Sequence, residues 1–154
     1  MKKYLFILSV TLFLISTVAT LLSLKGIDVD ASFNWTEFIG LGIFVTFPPC
    51  IYLMNKNKLE FPSQLKVIIV ILLLFAAYCF SISFFNMTPI EKDGVYYLVN
   101  HGNQTEVINK PEYIKTRTEN FLGGSSIWML FYGISSFIYY LYLKNSLPLI
   151  PGLK

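Results

Sequence analysis

His101 is the only histidine of the chain, with Asp93 and Glu106 close by in sequence. An imidazole beside carboxylates can serve as a general base when a serine or cysteine nucleophile stands within reach. No such constellation is visible, and Asn100-His101-Gly102-Asn103 reads as a turn. The two cysteines, Cys50 and Cys79, fall inside apolar runs. On helices rising 1.5 Å per residue their depths differ by roughly 10 Å, too far for a disulfide, so both are expected as small buried hydrophobes. There is no metal-ligand spacing and no glycine-rich phosphate loop; Gly123-Gly124 alone signals a hinge. The expectation is therefore a non-enzymatic protein with no catalytic, metal-binding or cofactor-binding residues.

The residues that could recognise a ligand lie in the long segment 86–124. Val95, Tyr97 and Val99 alternate with Tyr96 and Leu98, the period of a strand, and 105–108 can return as its partner across the Asn100–Asn103 turn. Such a hairpin is marginal alone in water and needs a surface to rest on. Asn109-Lys110-Pro111-Glu112 then reads as a helix start. Tyr113, Ile114, Arg117, Phe121 and Leu122 give that helix an apolar side, which is expected to lie in the membrane interface before Gly123-Gly124 turns the chain. Tyr96, Tyr97, His101, Tyr113 and Arg117 are the recognition candidates.

Four uncharged apolar runs must position this segment, at about 4–24, 38–54, 67–85 and 125–143. Each suits a hydrocarbon core of roughly 30 Å. The 154 residues are 55% hydrophobic and 14% charged, against about 25% charged in soluble domains. The fold class is thus an all-α integral membrane protein: one four-span domain over 1–154, with an extracytoplasmic hairpin-plus-helix insertion between spans three and four. The first run is too long for a signal peptide's apolar region and lacks a small-residue cleavage site, so it reads as a retained span. Its Ser9, Ser16, Thr20 and Ser23 form a hydroxyl stripe facing the bundle, or one that bonds only to its own backbone. Ser126, Gly133 and Ser136 give the last span a matching small-residue strip. Pro48 and Pro49 predict a kink or break in the second span, either a hinge or gate or a merely tolerated kink, covered by protein inside the bundle or at a subunit interface. The third span reads as the most lipid-exposed.

Charge assigns the sides. The N-terminus, the loop 55–66 and the tail 144–154 each carry +2, whereas the loop 25–37 carries −2 and the long segment −1, within a net +3. The positive-inside rule then puts both termini in the cytoplasm of a bacterial inner membrane. Lys56 and Lys58 of the basic loop, with Leu147, Pro148, Ile150 and Pro151 of the tail, form the surface for a soluble cytoplasmic protein partner. Membrane lipids and further copies of the chain, with a tetramer as the working number, complete the expected partners; direct nucleic-acid binding is not expected. No span holds Asp, Glu, Lys, Arg or His, which argues against ion-coupled transport.

Phe, Tyr, Met, Ile, Asn and Lys together outnumber Gly, Ala, Arg and Pro by 65 to 21, the bias of an AT-rich gene. In span number, size and this composition the chain resembles the small four-span membrane subunit of bacterial antiphage systems such as Kiwa. The resemblance carries over no individual residue. It implies a sensor and anchor that detects an envelope disturbance and recruits a soluble effector. The alternatives are an immunity protein against a pore-forming toxin, which the same size and span number also suit, and an oligomeric channel.

Overall fold

The computed structural model describes residues 2–29, 36–84, 87–100 and 103–146. Four helices in it are long and apolar enough to cross a membrane, as in a multi-pass membrane protein. They are α1 (Lys2–Leu24), α2 (Thr36–Asn57), α3 (Ser63–Phe84) and α4 (Lys110–Ser146). Between α3 and α4 the chain forms a three-stranded antiparallel sheet of β1 (Thr88–Lys92), β2 (Val95–Asn100) and β3 (Asn103–Ile108), in that order.

The helix ends follow from local chemistry. After α1, Gly26 adopts φ 77°, and its N–H and that of Ile27 return to the Ser23 and Leu22 carbonyls at 2.9 and 3.1 Å. This left-handed closure satisfies carbonyls that the last turn would leave open. The same closure ends α2, where Leu59 N–H reaches the Met54 carbonyl at 3.2 Å, but the left-handed residue is Lys58, at φ 47°. α4 begins where its signature places it: the Asn109 side chain accepts the Glu112 N–H at 2.9 Å, an N-cap.

α4 is the axis of the bundle, packing against α1, α2 and α3, while those three pack lightly or not at all on one another. It runs antiparallel to α1, from Thr20 opposite Ser125 to the contact of Lys2 with Tyr142. Along α1, Ser9, Ser16, Thr20 and Ser23 are all buried. Each hydroxyl donates to a backbone carbonyl one turn back, and Thr20 also reaches the Ser125 hydroxyl at 3.1 Å. The stripe therefore both faces the bundle and satisfies itself.

Toward α2, α4 presents Tyr132 and Tyr139, both fully buried. Their hydroxyls donate to the carbonyls of Ile39 and Thr46, the latter at 2.9 Å. Glycines make the approach possible: a Cβ at Gly42 would stand 2.6 Å from the Tyr132 hydroxyl, and one at Gly40 3.3 Å from Trp128 Nε1. At the far end Cys50, Leu53, Ile138 and Tyr139 form a buried cluster, with Leu5 and Phe6 of α1 and Leu59 and Phe61 of the loop against it. Cys50 and Cys79 are both buried free thiols, and the Cys50 thiol lies 3.4 Å from the Ser135 carbonyl.

Three expectations are corrected. The chain does not turn at Gly123-Gly124; α4 passes through both as one helix of 37 residues. A turn at that depth would open backbone groups with no water to satisfy them, and Gly123 instead sits against α3, where a Cβ would overlap Ser83. The stretch after Asn109 consequently continues the last span as a rod instead of forming a separate interfacial helix. At about 1.5 Å per residue α4 is roughly 55 Å long. Its uncharged part is 120–143, so 110–119 extends roughly 15 Å beyond the hydrocarbon.

The second correction is narrower: of the kink or break expected at Pro48 and Pro49, the break does not occur, since both lie inside α2 without ending it. They deprive the Phe44 and Val45 carbonyls of their usual donors, and the Tyr139 hydroxyl donates to the neighbouring Thr46 carbonyl. In the single chain Leu41, Phe44, Val45 and Tyr52 of α2 are exposed, so of the two covers expected for this helix, the bundle interior or a subunit interface, the bundle does not supply the first on that face. The third correction is the sheet, which has three strands where the sequence pattern predicts two. As expected, α3 is the least buried of the four helices.

Candidate functional site at the outer end of the long helix

The sheet is built by local turn chemistry and held by α4. Asp93 and Gly94 both take positive φ, 53° and 77°, as a two-residue turn matched to strand twist requires. That turn pairs β1 with β2, Ile90 opposite Tyr97 and Glu91 opposite Tyr96. β2 pairs with β3, Tyr96 opposite Ile108 and Tyr97 opposite Val107, with a bulge at Leu98/Val99. Alternation then gives the sheet two faces. One carries Tyr96 and buried Ile108 toward α4; the other carries Ile90, Tyr97 and Val107 outward, with Val107 65% exposed.

On the α4 side the Tyr96 ring meets Tyr113 at 4.7 Å between centroids, tilted by 37°. One turn further along α4, Arg117 Nε lies 3.7 Å from Asp28 Oδ1, with both side chains mostly buried. This pair ties the α1–α2 connection to the extended arm of α4. Below it the Asn120 side chain donates to the Met87 carbonyl at 3.1 Å and fixes the chain leading into β1, while its Oδ1 is buried without a partner. Between β1 and α4 a cleft of about 250 Å³ is lined by Thr88, Pro89, Tyr113, Arg117, Asn120 and Phe121. Its walls include two aromatic rings, a guanidinium, a carboxamide and the Thr88 hydroxyl, a mixture suited to aromatic or polar groups of a ligand.

Of the five recognition candidates, the structure brings together Tyr96, Tyr113 and Arg117 on this side of the sheet. Tyr97 lies on the opposite face, and His101 lies outside the described residues. The hinge candidates Pro48, Pro49, Gly123 and Gly124 all sit within continuous helices. The packing candidates Ser9, Ser16, Thr20, Ser126 and Ser136 are buried, and Gly133 lies against Phe13, where a Cβ would stand 3.1 Å away. Lys56 and Lys58 are exposed at the opposite end of the bundle, Lys56 5.6 Å above the Tyr52 ring. Leu147, Pro148, Ile150 and Pro151 lie outside the described residues. β1, Asp28 and Asn120 escape the sequence pattern. Asp93-Gly94 is a legible signal for β1, whereas the roles of Asp28 and Asn120 depend on the unbroken course of α4.

Among the described residues no group of His, Cys, Asp and Glu is arranged to hold a metal ion. Comparison with known protein families, with curated protein sequences and with solved structures finds no match.

Proposed function

We propose that this chain is a non-enzymatic sensor and anchor of a bacterial inner membrane, of the kind that serves antiphage defence. In this reading the sheet and cleft face outward and respond to an envelope disturbance, and the opposite end recruits a soluble effector. The single observation that carries the reading is α4. One helix contacts β1 and β2 outside the bundle and all three other helices within it, which gives a displacement of the sheet a continuous path to the packing that reaches Tyr139 and Lys144. The orientation is supported by the lysines gathered at the far end, Lys2, Lys3, Lys56, Lys58, Lys66 and Lys144, since basic residues are retained in the cytoplasm.

The test is in-cell crosslinking from a photoreactive group at Lys56, followed by purification in mild detergent, for wild type and an Arg117→Ala/Tyr113→Ala arm variant. A soluble protein crosslinked in wild type, lost on deletion of 146–154 and altered in yield by the arm variant, is the expected result. A soluble partner indifferent to the arm variant refutes transmission through α4. A membrane-inserting toxin crosslinked to the spans, in place of a soluble partner, refutes the sensor reading in favour of immunity.

A further inference from the structure

α1 and α3 both pack on α4 but hardly on each other, and they leave a cleft of about 510 Å³ between them. Its walls are Phe6, Val10 and Phe13 of α1, Ile68 of α3, and Gly133 and Phe137 of α4. Gly133 deepens it, since a side chain there would press on Phe13 and Leu72. The lining is apolar; the Ser136 hydroxyl, also at the wall, is committed to the Tyr132 carbonyl at 2.7 Å. The size lies within the range of about 300–1,000 Å³ usual for ligand pockets. The cleft lies within segments that cross the hydrocarbon, so the group available to enter sideways is an acyl chain.

The same helix faces carry charge at the cleft's mouth. On α1, positions 3, 6, 10 and 13 form one stripe at the spacing of a helix, which puts Lys3 one turn beyond Phe6, roughly 4.5 Å along the axis. On α4, positions 133, 137, 140 and 144 do likewise, with Lys144 one turn beyond Tyr140, which lines the cleft and is half-exposed. Because the two helices are antiparallel, Lys3 and Lys144 lie at the same end. Both are exposed, and among the described residues neither has an acidic partner. Lys2, by contrast, is engaged with Tyr142.

We infer that the cleft between α1 and α3 binds one anionic phospholipid, its acyl chain against Val10, Gly133 and Phe137 and its phosphate between Lys3 and Lys144. The acyl chain gains little by leaving bulk lipid, so selectivity resides in the headgroup. A lysine beside an anionic headgroup is worth about fivefold in affinity, and two give roughly 25-fold over a zwitterionic lipid of the same chains.

The test is native mass spectrometry of the full chain in mild detergent, titrated with phosphatidylglycerol and phosphatidylcholine of identical acyl composition. One tightly retained phosphatidylglycerol, preferred tenfold or more, is expected. Lys3→Gln/Lys144→Gln should reduce the preference to less than threefold, and Lys3→Arg/Lys144→Arg should preserve it. Ile68→Trp, which fills the cleft from an exposed rim position without displacing a buried group, should lower retention of both lipids. Equal binding of the two lipids by wild type, or a preference surviving the glutamine pair, overturns the assignment. So does a dimer that excludes lipid and dissociates in Ile68→Trp, because the occupant is then a second copy. None of these readouts involves the outer sheet or an effector, so the lipid site stands or falls apart from the sensor reading.

Discussion

Gly123 and Gly124 are chemically identical neighbours in one helix, yet alanine should act oppositely at the two. Alanine in a helix interior is favoured over glycine by about 1 kcal/mol. At Gly124 nothing lies within 4 Å of the added Cβ, so Gly124→Ala should retain that full gain. At Gly123 the Cβ would overlap the Ser83 Cβ and come within 2.6 Å of its Oγ. Overpacking of this kind costs about 1–3 kcal/mol. The hydrogen bond from Ser83 to the Asn120 carbonyl, 3.3 Å long, would go with it at about 1 kcal/mol. Net of the helical gain, Gly123→Ala should lose about 1–3 kcal/mol. The two variants thus differ by about 2–4 kcal/mol, or about 4–16 °C in melting temperature for a chain of this length. Thermal melts of the detergent-purified variants measure this, with Ser83→Gly as the internal control: it should rescue the second substitution, so that Ser83→Gly/Gly123→Ala melts no lower than Ser83→Gly alone. If Gly124→Ala melts below wild type, or Ser83→Gly fails to rescue, the close approach of α3 to α4 is not what Gly123 provides. Gly124 would then be needed for bending.

Three further outcomes follow from particular bonds. Tyr139→Phe removes the donor to Thr46 beside the prolines and should cost about 1 kcal/mol, within the range measured for hydrogen bonds between membrane helices; the same thermal melts read it. Asn109→Ala removes the N-cap of α4 and should cost about 1 kcal/mol, with amide hydrogen exchange accelerating in 110–113 and remaining unchanged in 125–143. Lys58→Gly relieves a left-handed non-glycine residue and should raise the melting temperature by a few degrees, from about 1 kcal/mol of relieved strain.

The four spans are legible because an uncharged apolar run of membrane length has almost no place in a soluble fold, and the stripe Ser9–Ser16–Thr20 because its spacing already fixes one face. The start of α4 is equally plain in Asn109 through Glu112, where cap chemistry is local. What fails is inference from glycine and proline. Gly123-Gly124 reads as a turn by composition, but whether paired glycines bend a helix or admit a neighbour depends on what stands opposite, here Ser83, 40 residues earlier in the chain. Pro48 and Pro49 read as a kink or break, because no local pattern reveals that α2 continues through them or that Tyr139 of α4 bonds beside them at Thr46. Tyr96 is legible as one side of a strand; its stacking on Tyr113 is not, because it requires α4 to continue outward past the hydrocarbon.

The order of the helices in the chain bears on how the protein is made. α1, α2 and α3 leave the ribosome first and have little to hold them to one another, since nearly all their packing is with α4. Until the last helix inserts, the three stand in the bilayer as separate hydrophobic rods, with the Ser16 and Thr20 face of α1 and the Gly40 and Gly42 face of α2 uncovered. Packing of these four helices therefore waits on the insertion of α4. A nascent chain cut short anywhere before α4 would lack nearly all the packing that joins α1, α2 and α3.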